Sequence, residues 1–177
     1  MENKIIIIGA GGHGKVVADA ILKQNKYSIA GYADDNIPIG NILNNGYRVI
    51  CKISEIDKML TYANYFIVAI GNNNTRSSIY NSLKNKLKPA IIIHPSCILS
   101  SNIKLSDGCI LLANAVISED VEIGENCIIN SLSLIDHETT INDHVHISQG
   151  SIVGSNCKIK SYHTSELGDK IKSYSIL

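Results

Sequence analysis

The chain has 177 residues, 45% of them apolar and 18% charged, and its sixteen basic and sixteen acidic side chains cancel. That length holds one large domain or two small ones, and the balance is that of an ordinary globular protein. No basic excess points to nucleic acid or an anionic membrane surface.

The start, Met1-Glu2-Asn3-Lys4 followed by four isoleucines, lacks the long apolar stretch and small-residue cleavage site of a secretory signal. The aliphatic run stops at Gly9, far short of the ~20 residues of a membrane span. The chain is therefore expected in the cytoplasm. Lys4 to Ile8 reads as an all-apolar strand of a parallel sheet covered on both faces. Gly11-Gly12-His13-Gly14 makes a tight turn. Val16, Val17, Ala20 and Ile21 then have helical spacing over residues 15–24. A second strand over residues 27–33 ends at Asp34-Asp35, and an Asn- and Gly-rich loop follows over 36–46. Ser54 is the expected cap of a helix through Leu60. Residues 65–70 form a third apolar strand ending at Gly71-Asn72-Asn73. Ile79, Leu83 and Leu87 mark a helix over 74–87, and residues 90–93 a last strand before His94-Pro95.

Strands alternating with helices imply a small parallel sheet, whose ligands bind at the carboxyl ends of the strands. Gly11-Gly12-His13, Asp34-Asp35 and Gly71-Asn72-Asn73 all fall at such ends. Gly9-x-Gly11-x-x-Gly14, with an acidic pair about twenty residues later, has the form of a dinucleotide fingerprint. Glycines there let backbone N–H groups approach an anion at a helix N-terminus. About ninety residues give only half of a two-lobed dinucleotide fold. The loop is therefore read as a site for a nucleotide phosphate or a sugar, with Asp34 and Asp35 free to accept from hydroxyls or an amine.

From residue 97 the period changes to six. Leu99, Leu105, Leu111, Ile117, Ile123, Ile129, Ile135, Ile141, Ile147, Val153 and Ile159 form one aliphatic series, which Ser165 breaks and Ile171 and Leu177 resume. Two residues before each member lies a mostly small one: Cys97, Ile103, Cys109, Ala115, Val121, Cys127, Ser133, Thr139, Val145, Ser151 and Cys157. A period of six is neither helix nor simple strand. It is a short strand plus a corner, repeated, as in a parallel β-solenoid of hexapeptide repeats. The four cysteines in the small series follow the coil and not a metal-binding spacing. They read as buried small residues, with no disulfide, structural zinc or catalytic thiol expected.

Five stretches in this order resemble the PglD/NeuD-type bacterial sugar acyltransferases: IIIIGAGGHGKVVADAI, YADD, FIVAIGNNNTR, IIHPS and IDHETTINDHVHISQGSIVG. The resemblance covers residues 4 to about 159. It implies a Rossmann-like sugar-nucleotide-binding domain over 1–93 and a left-handed β-helix acyltransferase domain over 94–177. It further implies a homotrimer that binds acetyl-CoA between adjacent helices. The implied reaction is acetyl transfer to the amino group of a nucleotide-activated amino sugar in bacterial surface-glycan synthesis. O-acetylation of a sialic-acid-like sugar is the alternative. Residue by residue, His137 becomes the catalytic base, Glu138 its partner, and His146 a neighbour of the acyl donor. Gly11, Gly12, His13, Asp34, Asp35 and Gly71 become the lining of the nucleotide-sugar pocket.

The spacing agrees independently, since His137 and Glu138 follow inward Ile135 by two and three places, at a corner. Acetyl transfer from a thioester requires a proton to leave the attacking amine or alcohol. An imidazole with a pKa near ~6.5 takes it at neutral pH, and a carboxylate beside it steadies the imidazolium. His144 reads as a plain corner residue, His163 as part of an irregular repeat and His94 as a boundary residue. No metal is expected, because no two histidines stand eighteen or thirty-six apart, as stacked ligands on such a coil would. A nucleotide-dependent oxidoreductase rests on the glycine loop alone. The chain reads as shortened after Leu177, with Lys160 and Glu166 at positions expected to be small. A non-catalytic sugar-nucleotide-binding scaffold is therefore a third reading.

Overall fold

The structure is a computed structural model and describes residues 3–177. Met1 and Glu2, which open the expected 1–93 unit, lie outside the described residues. The chain divides into two compact units, one ending at Ala90 and the other running from Ile91 to Leu177. In the first, strands and helices alternate: β1 Lys4–Ile8, α1 Gly12–Gln24, β2 Ser28–Ala33, β3 Val49–Cys51, α2 Ile56–Tyr62, β4 Tyr65–Val68, α3 Asn73–Leu83 and β5 Lys88–Pro89. The strands form one parallel sheet in the order β3-β2-β1-β4-β5. β1 is central, and Ile5, Ile6, Ile7 and Ile8 are fully buried. Helices on both faces of such a sheet explain the unalternated run. The chain order reverses beside β1, which is where parallel sheets of this kind open a crevice at their carboxyl edge.

Several boundaries differ from the sequence expectation. Helix α2 starts after Glu55, not Ser54, and has no side-chain cap. The Glu55 carboxylate instead accepts from the Lys52 N–H at 3.0 Å. Helix α3 ends at Leu83, and its Asn72 cap accepts from the Thr75 N–H at 3.0 Å. β3 was not expected, because three residues are too few to show a period. The anticipated strand over 90–93 is split: Lys88–Pro89 closes the first sheet as an edge, where proline's missing N–H is tolerated, and Ile92–Ile93 pairs with Ile110–Leu111 in the second unit.

The second unit is a parallel β-helix with three faces. One face stacks Ile92–Ile93, Ile110–Leu111, Ile128–Ile129 and His146–Ile147. The next stacks Ile98–Leu99, Val116–Ile117, Leu134–Ile135, Ile152–Val153 and Lys170–Ile171; the third stacks Lys104–Leu105, Glu122–Ile123, Thr140–Ile141 and Lys158–Ile159. Each strand pairs in register with the one a full coil away, as Val116 does with Leu134. The six-residue series forms the interior: from Leu111 to Ile159 its members are buried, as are Cys109, Val121, Cys127, Val145 and Cys157 of the small series. Leu177, although in phase, is exposed. Ser165 is tolerated inside because its hydroxyl accepts from the Ser148 N–H at 2.8 Å and contacts Ser151 Oγ at 3.0 Å.

The small series does more than fill space. Its thiols and hydroxyls donate to carbonyls fifteen residues ahead: Cys109 to Gly124, Cys127 to Asn142, Ser133 to Ser148, Thr139 to Gly154, Ser151 to Glu166 and Cys157 to Lys172, at 2.9–3.2 Å. Each links one coil to the next and satisfies a corner carbonyl. A third six-residue series sets the corners. Gly108, Asn114, Asp120, Asn126, Leu132, Glu138, His144, Gly150, Asn156, Tyr162, Gly168 and Tyr174 all have φ between 56° and 77°. Glycine, asparagine and aspartate suit that left-handed conformation; for other residues it costs about 1–2 kcal/mol.

Candidate functional site

In the first unit the carboxyl edge opens a cleft of about 520 Å³ lined by Gly9, Gly11, Gly12, His13, Asp34, Asp35, Asn36, Ile53, Ala69, Ile70, Thr75 and Ile79. The loops after β1, β2 and β4 meet there. Helix α1 begins on this cleft with Gly11 as its cap, no capping side chain and no acid in its first turn. Its first N–H groups therefore face the cleft as donors without a built-in anion. The glycines divide by role. A Cβ at Gly14 would lie 2.0 Å from the Gly9 carbonyl, so Gly14 is fixed by helix–strand packing; a Cβ at Gly11 or Gly12 would meet nothing within 4 Å. Gly11 and Gly12 leave open space on the cleft side.

The acidic pair corrects the expectation that both carboxylates are free for a ligand. Asp34 Oδ2 accepts from the buried Ala10 N–H at 2.8 Å, and Oδ1 accepts from the Asn36 and Ile37 N–H groups at 2.8 and 2.9 Å. Burial alone would raise this carboxyl. The three backbone donors, with Lys52 nearby, outweigh it and hold it below the usual carboxylate range. Asp34 thus ties the glycine turn to the end of β2. Asp35 Oδ1 accepts from the Ile53 N–H at 2.9 Å, and its carbonyl accepts from Lys52 Nζ at 2.6 Å, which anchors the β3–α2 loop. Gly71, also expected in the pocket, is not among the lining residues. Its carbonyl and that of Ile70 accept from the fully buried Arg76 guanidinium at 3.1 Å each. Thr75, Asn36 and the apolar wall of Ile53, Ile70 and Ile79 were not anticipated, because nothing in their spacing marks them as ligand-facing.

In the second unit, His137 and Glu138 occupy the corner after Leu134–Ile135, and about half of each side chain is exposed (51% and 57%). His137 Nδ1 lies 3.0 Å from Glu138 Oε2. A carboxylate only accepts, so Nδ1 carries the proton in this pair, and in the neutral imidazole Nε2 is then the nitrogen with the lone pair. Nε2 makes no hydrogen bond among the described residues. Backbone bonds fix the corner: the His137 N–H donates to Asp136 Oδ1 at 2.8 Å, and the His137 carbonyl accepts from the Asn156 N–H at 3.0 Å. Glu138 holds its left-handed backbone at φ 56°. That conformation is common to the whole corner series and sets Glu138 no further apart.

His146 points out from its strand and is half-buried. Its Nε2 lies 3.2 Å from Asn130 Nδ2. The other end of that amide, Oδ1, accepts from the Ser131 N–H at 2.9 Å, which orients the NH₂ toward the ring. Asn130 is a further residue the sequence did not mark. His144 is not the plain surface corner expected. It is 7% exposed, with Nδ1 3.0 Å from Asn126 Nδ2 and its ring 5.1 Å from that of Tyr162, all three stacked along one corner. His94 Nδ1 accepts from the Ser96 N–H at 3.1 Å at its own turn. No group of three or more His, Cys, Asp or Glu able to hold a metal occurs among the described residues, and all five cysteines are free thiols. No helix among them is long and apolar enough to cross a membrane.

Comparison with known proteins follows the division of the chain. Residues 4–83 match the PglD N-terminal domain, and residues 102–137 match the bacterial transferase hexapeptide of six repeats. A UDP-N-acetylbacillosamine N-acetyltransferase from Bacillus subtilis (strain 168) is 32% identical over 110 residues, which is 61% of this chain. The match spans half the length of that relative. The acetyltransferase domain of PglB from Neisseria gonorrhoeae FA1090 has a TM-score of 0.82 at 25% identity, covering 99% of this chain and 91% of that one. The same domain in complex with acetyl coenzyme A has a TM-score of 0.78 at 26% identity, covering 99% and 88%. A perosamine N-acetyltransferase from Caulobacter crescentus, in complex with CoA and GDP-perosamine, shares the fold, with a TM-score of 0.79 at 21% identity and coverage of 98% and 88%. These structural neighbours are left-handed β-helix proteins, and the second unit is a left-handed β-helix.

Proposed function

We propose, from the premise that this chain belongs to the PglD-type sugar acetyltransferase family, that it moves the acetyl group of acetyl-CoA to the amino group of a nucleotide-activated amino sugar. The observation that carries this reading is the His137–Glu138 pair: Nδ1 held at 3.0 Å by a carboxylate, Nε2 open at an exposed corner. In the reaction His137 Nε2 takes the proton of the amine as its nitrogen bonds to the thioester carbonyl carbon. Glu138 holds the imidazolium that results. The C–S bond then breaks and the coenzyme A sulfur leaves as a thiolate, to which the imidazolium returns a proton. His146, oriented by Asn130, is assigned to the acyl donor. The cleft with Gly11, Gly12 and His13 is assigned to the sugar nucleotide, its phosphates drawn to the N-terminus of α1. An N-acetyl product is favoured over an O-acetyl one because the curated relative and a structural neighbour are N-acetyltransferases.

Copies of the chain are proposed to associate as a trimer. Supporting this, Ile98, Val116, Leu134 and Ile152 align in register on the outside of one face, with Ile98 65% and Ile152 42% exposed. An apolar stripe of that kind marks an interaction surface. A bacterial cytoplasm and a role in surface-glycan synthesis complete the proposal, and five free thiols fit a reducing compartment. The test is incubation with acetyl-CoA and a panel of UDP- and GDP-linked amino sugars, reading a mass gain of one acetyl group. His137→Ala should lower the rate about 10²–10⁴-fold. Equal product from the variant would remove His137 from the chemistry. The absence of product with every acceptor, together with no coenzyme A binding, would leave the chain as a binding protein.

A further inference from the structure

The Glu138 carboxylate has a second partner. Asn156 Nδ2 donates to Glu138 Oε2 at 3.2 Å, the same oxygen that holds His137 Nδ1. Asn156 lies eighteen residues on, directly over Glu138 at the same corner, with φ 57° against 56°. Its backbone N–H donates to the His137 carbonyl at 3.0 Å. One residue of the next coil therefore grips both members of the pair. A glutamate side chain more than half exposed would otherwise be spread over several rotamers. We propose that Asn156 is a positioning residue that fixes the Glu138 carboxylate on Nδ1 and so keeps His137 in the tautomer with Nε2 unprotonated. This rests on the reading of His137 as the base.

The rival explanation is that amide–carboxylate stacking merely glues coils together. The same corner offers a comparison, since Asn102 Nδ2 donates to Asp120 Oδ1 in the same way with no histidine involved. Asn156→Gly is a clean perturbation. Glycine suits the left-handed corner, as Gly108, Gly150 and Gly168 show, and the backbone bond to His137 survives. One ordinary hydrogen bond corresponds to a change of about 5- to 10-fold. We expect kcat to fall by that factor in Asn156→Gly with KM for acetyl-CoA unchanged, and Asn102→Ala to leave both unchanged. In a Glu138→Ala background the Asn156→Gly loss should vanish. Independently of turnover, long-range ¹H–¹⁵N spectra of histidine-labelled protein should show His137, identified from its absence in His137→Gln, as one tautomer. In Asn156→Gly it should become a mixture of both. If the unmodified protein transfers no acetyl group, the proposed reaction fails, and the tautomer spectra still decide the role of Asn156. An unchanged His137 tautomer, or a kcat loss of equal size with and without Glu138, overturns the proposal.

Discussion

Replacing Asp34 by alanine should unfasten the glycine loop, and the size of the effect follows from its three bonds. The Ala10 N–H is fully buried, so its loss of a charged acceptor counts in full, about 1.5–3 kcal/mol. Water can reach the Asn36 and Ile37 N–H groups, so these add only about 0.5–1 kcal/mol together. The sum, about 2–4 kcal/mol, is a large part of the ~5–15 kcal/mol that holds a domain together. Among the described residues all three helices belong to the first unit, so ellipticity at 222 nm during urea unfolding reports on that unit. With a slope of about 1–3 kcal/mol per molar urea, the midpoint should fall by about 1–2 M. The pH dependence has a defined sign. The folded protein holds the Asp34 carboxyl below its ordinary value of 3.8. Its stabilisation is therefore complete above that value and is lost as the pH falls through the lower folded-state value. The gap between the unmodified protein and Asp34→Ala should stay constant from about pH 8 to 5 and close only below about pH 4. A variant as stable as the parent, or a gap that already narrows between pH 7 and 5, would refute the account of Asp34 as the tie between turn and sheet.

The two kinds of glycine in the loop should separate on substitution. Gly12→Ala should keep the melting temperature within about 2 °C yet weaken binding of a UDP- or GDP-sugar in a calorimetric titration, whereas Gly14→Ala should lose several kcal/mol because its methyl meets the Gly9 carbonyl. Equal stability of the two variants would contradict the assignment. At the corners, Leu132 is exposed and left-handed at φ 62°. Leu132→Asn should raise stability by about 1 kcal/mol and Gly150→Ala should lower it by a similar amount, both read from thermal unfolding.

The interior of the second unit was legible because a narrow prism accepts only a branched carbon at each inward strand position, and eleven such residues in phase leave no other period. The corner series was not. Asparagine, aspartate and glycine hold seven of its twelve places, a signal present in the sequence but masked by Leu132, Glu138, His144, Tyr162 and Tyr174. The hydroxyl and thiol ladder was hidden for a related reason: cysteine reads as a small hydrophobe until the carbonyl it faces is seen. The period makes His144 a plain corner residue because it gives direction and not what lies above and below; Asn126 and Tyr162 cover it. At the cleft, the glycine loop and Asp34 stood out by residue type. The division of labour between Asp34, which binds backbone, and Gly11 and Gly12, which leave room, depends on distances that spacing does not encode.

The donor ladder joining each coil only to its immediate neighbours makes the second unit a modular ruler. Excising or inserting one whole turn of eighteen residues would bring together edges that already fit, with every kind of bond reproduced at the new seam. Lineages of such chains can therefore lengthen or shorten the rod in fixed quanta, while the His137–Glu138 corner keeps its place on its own rung.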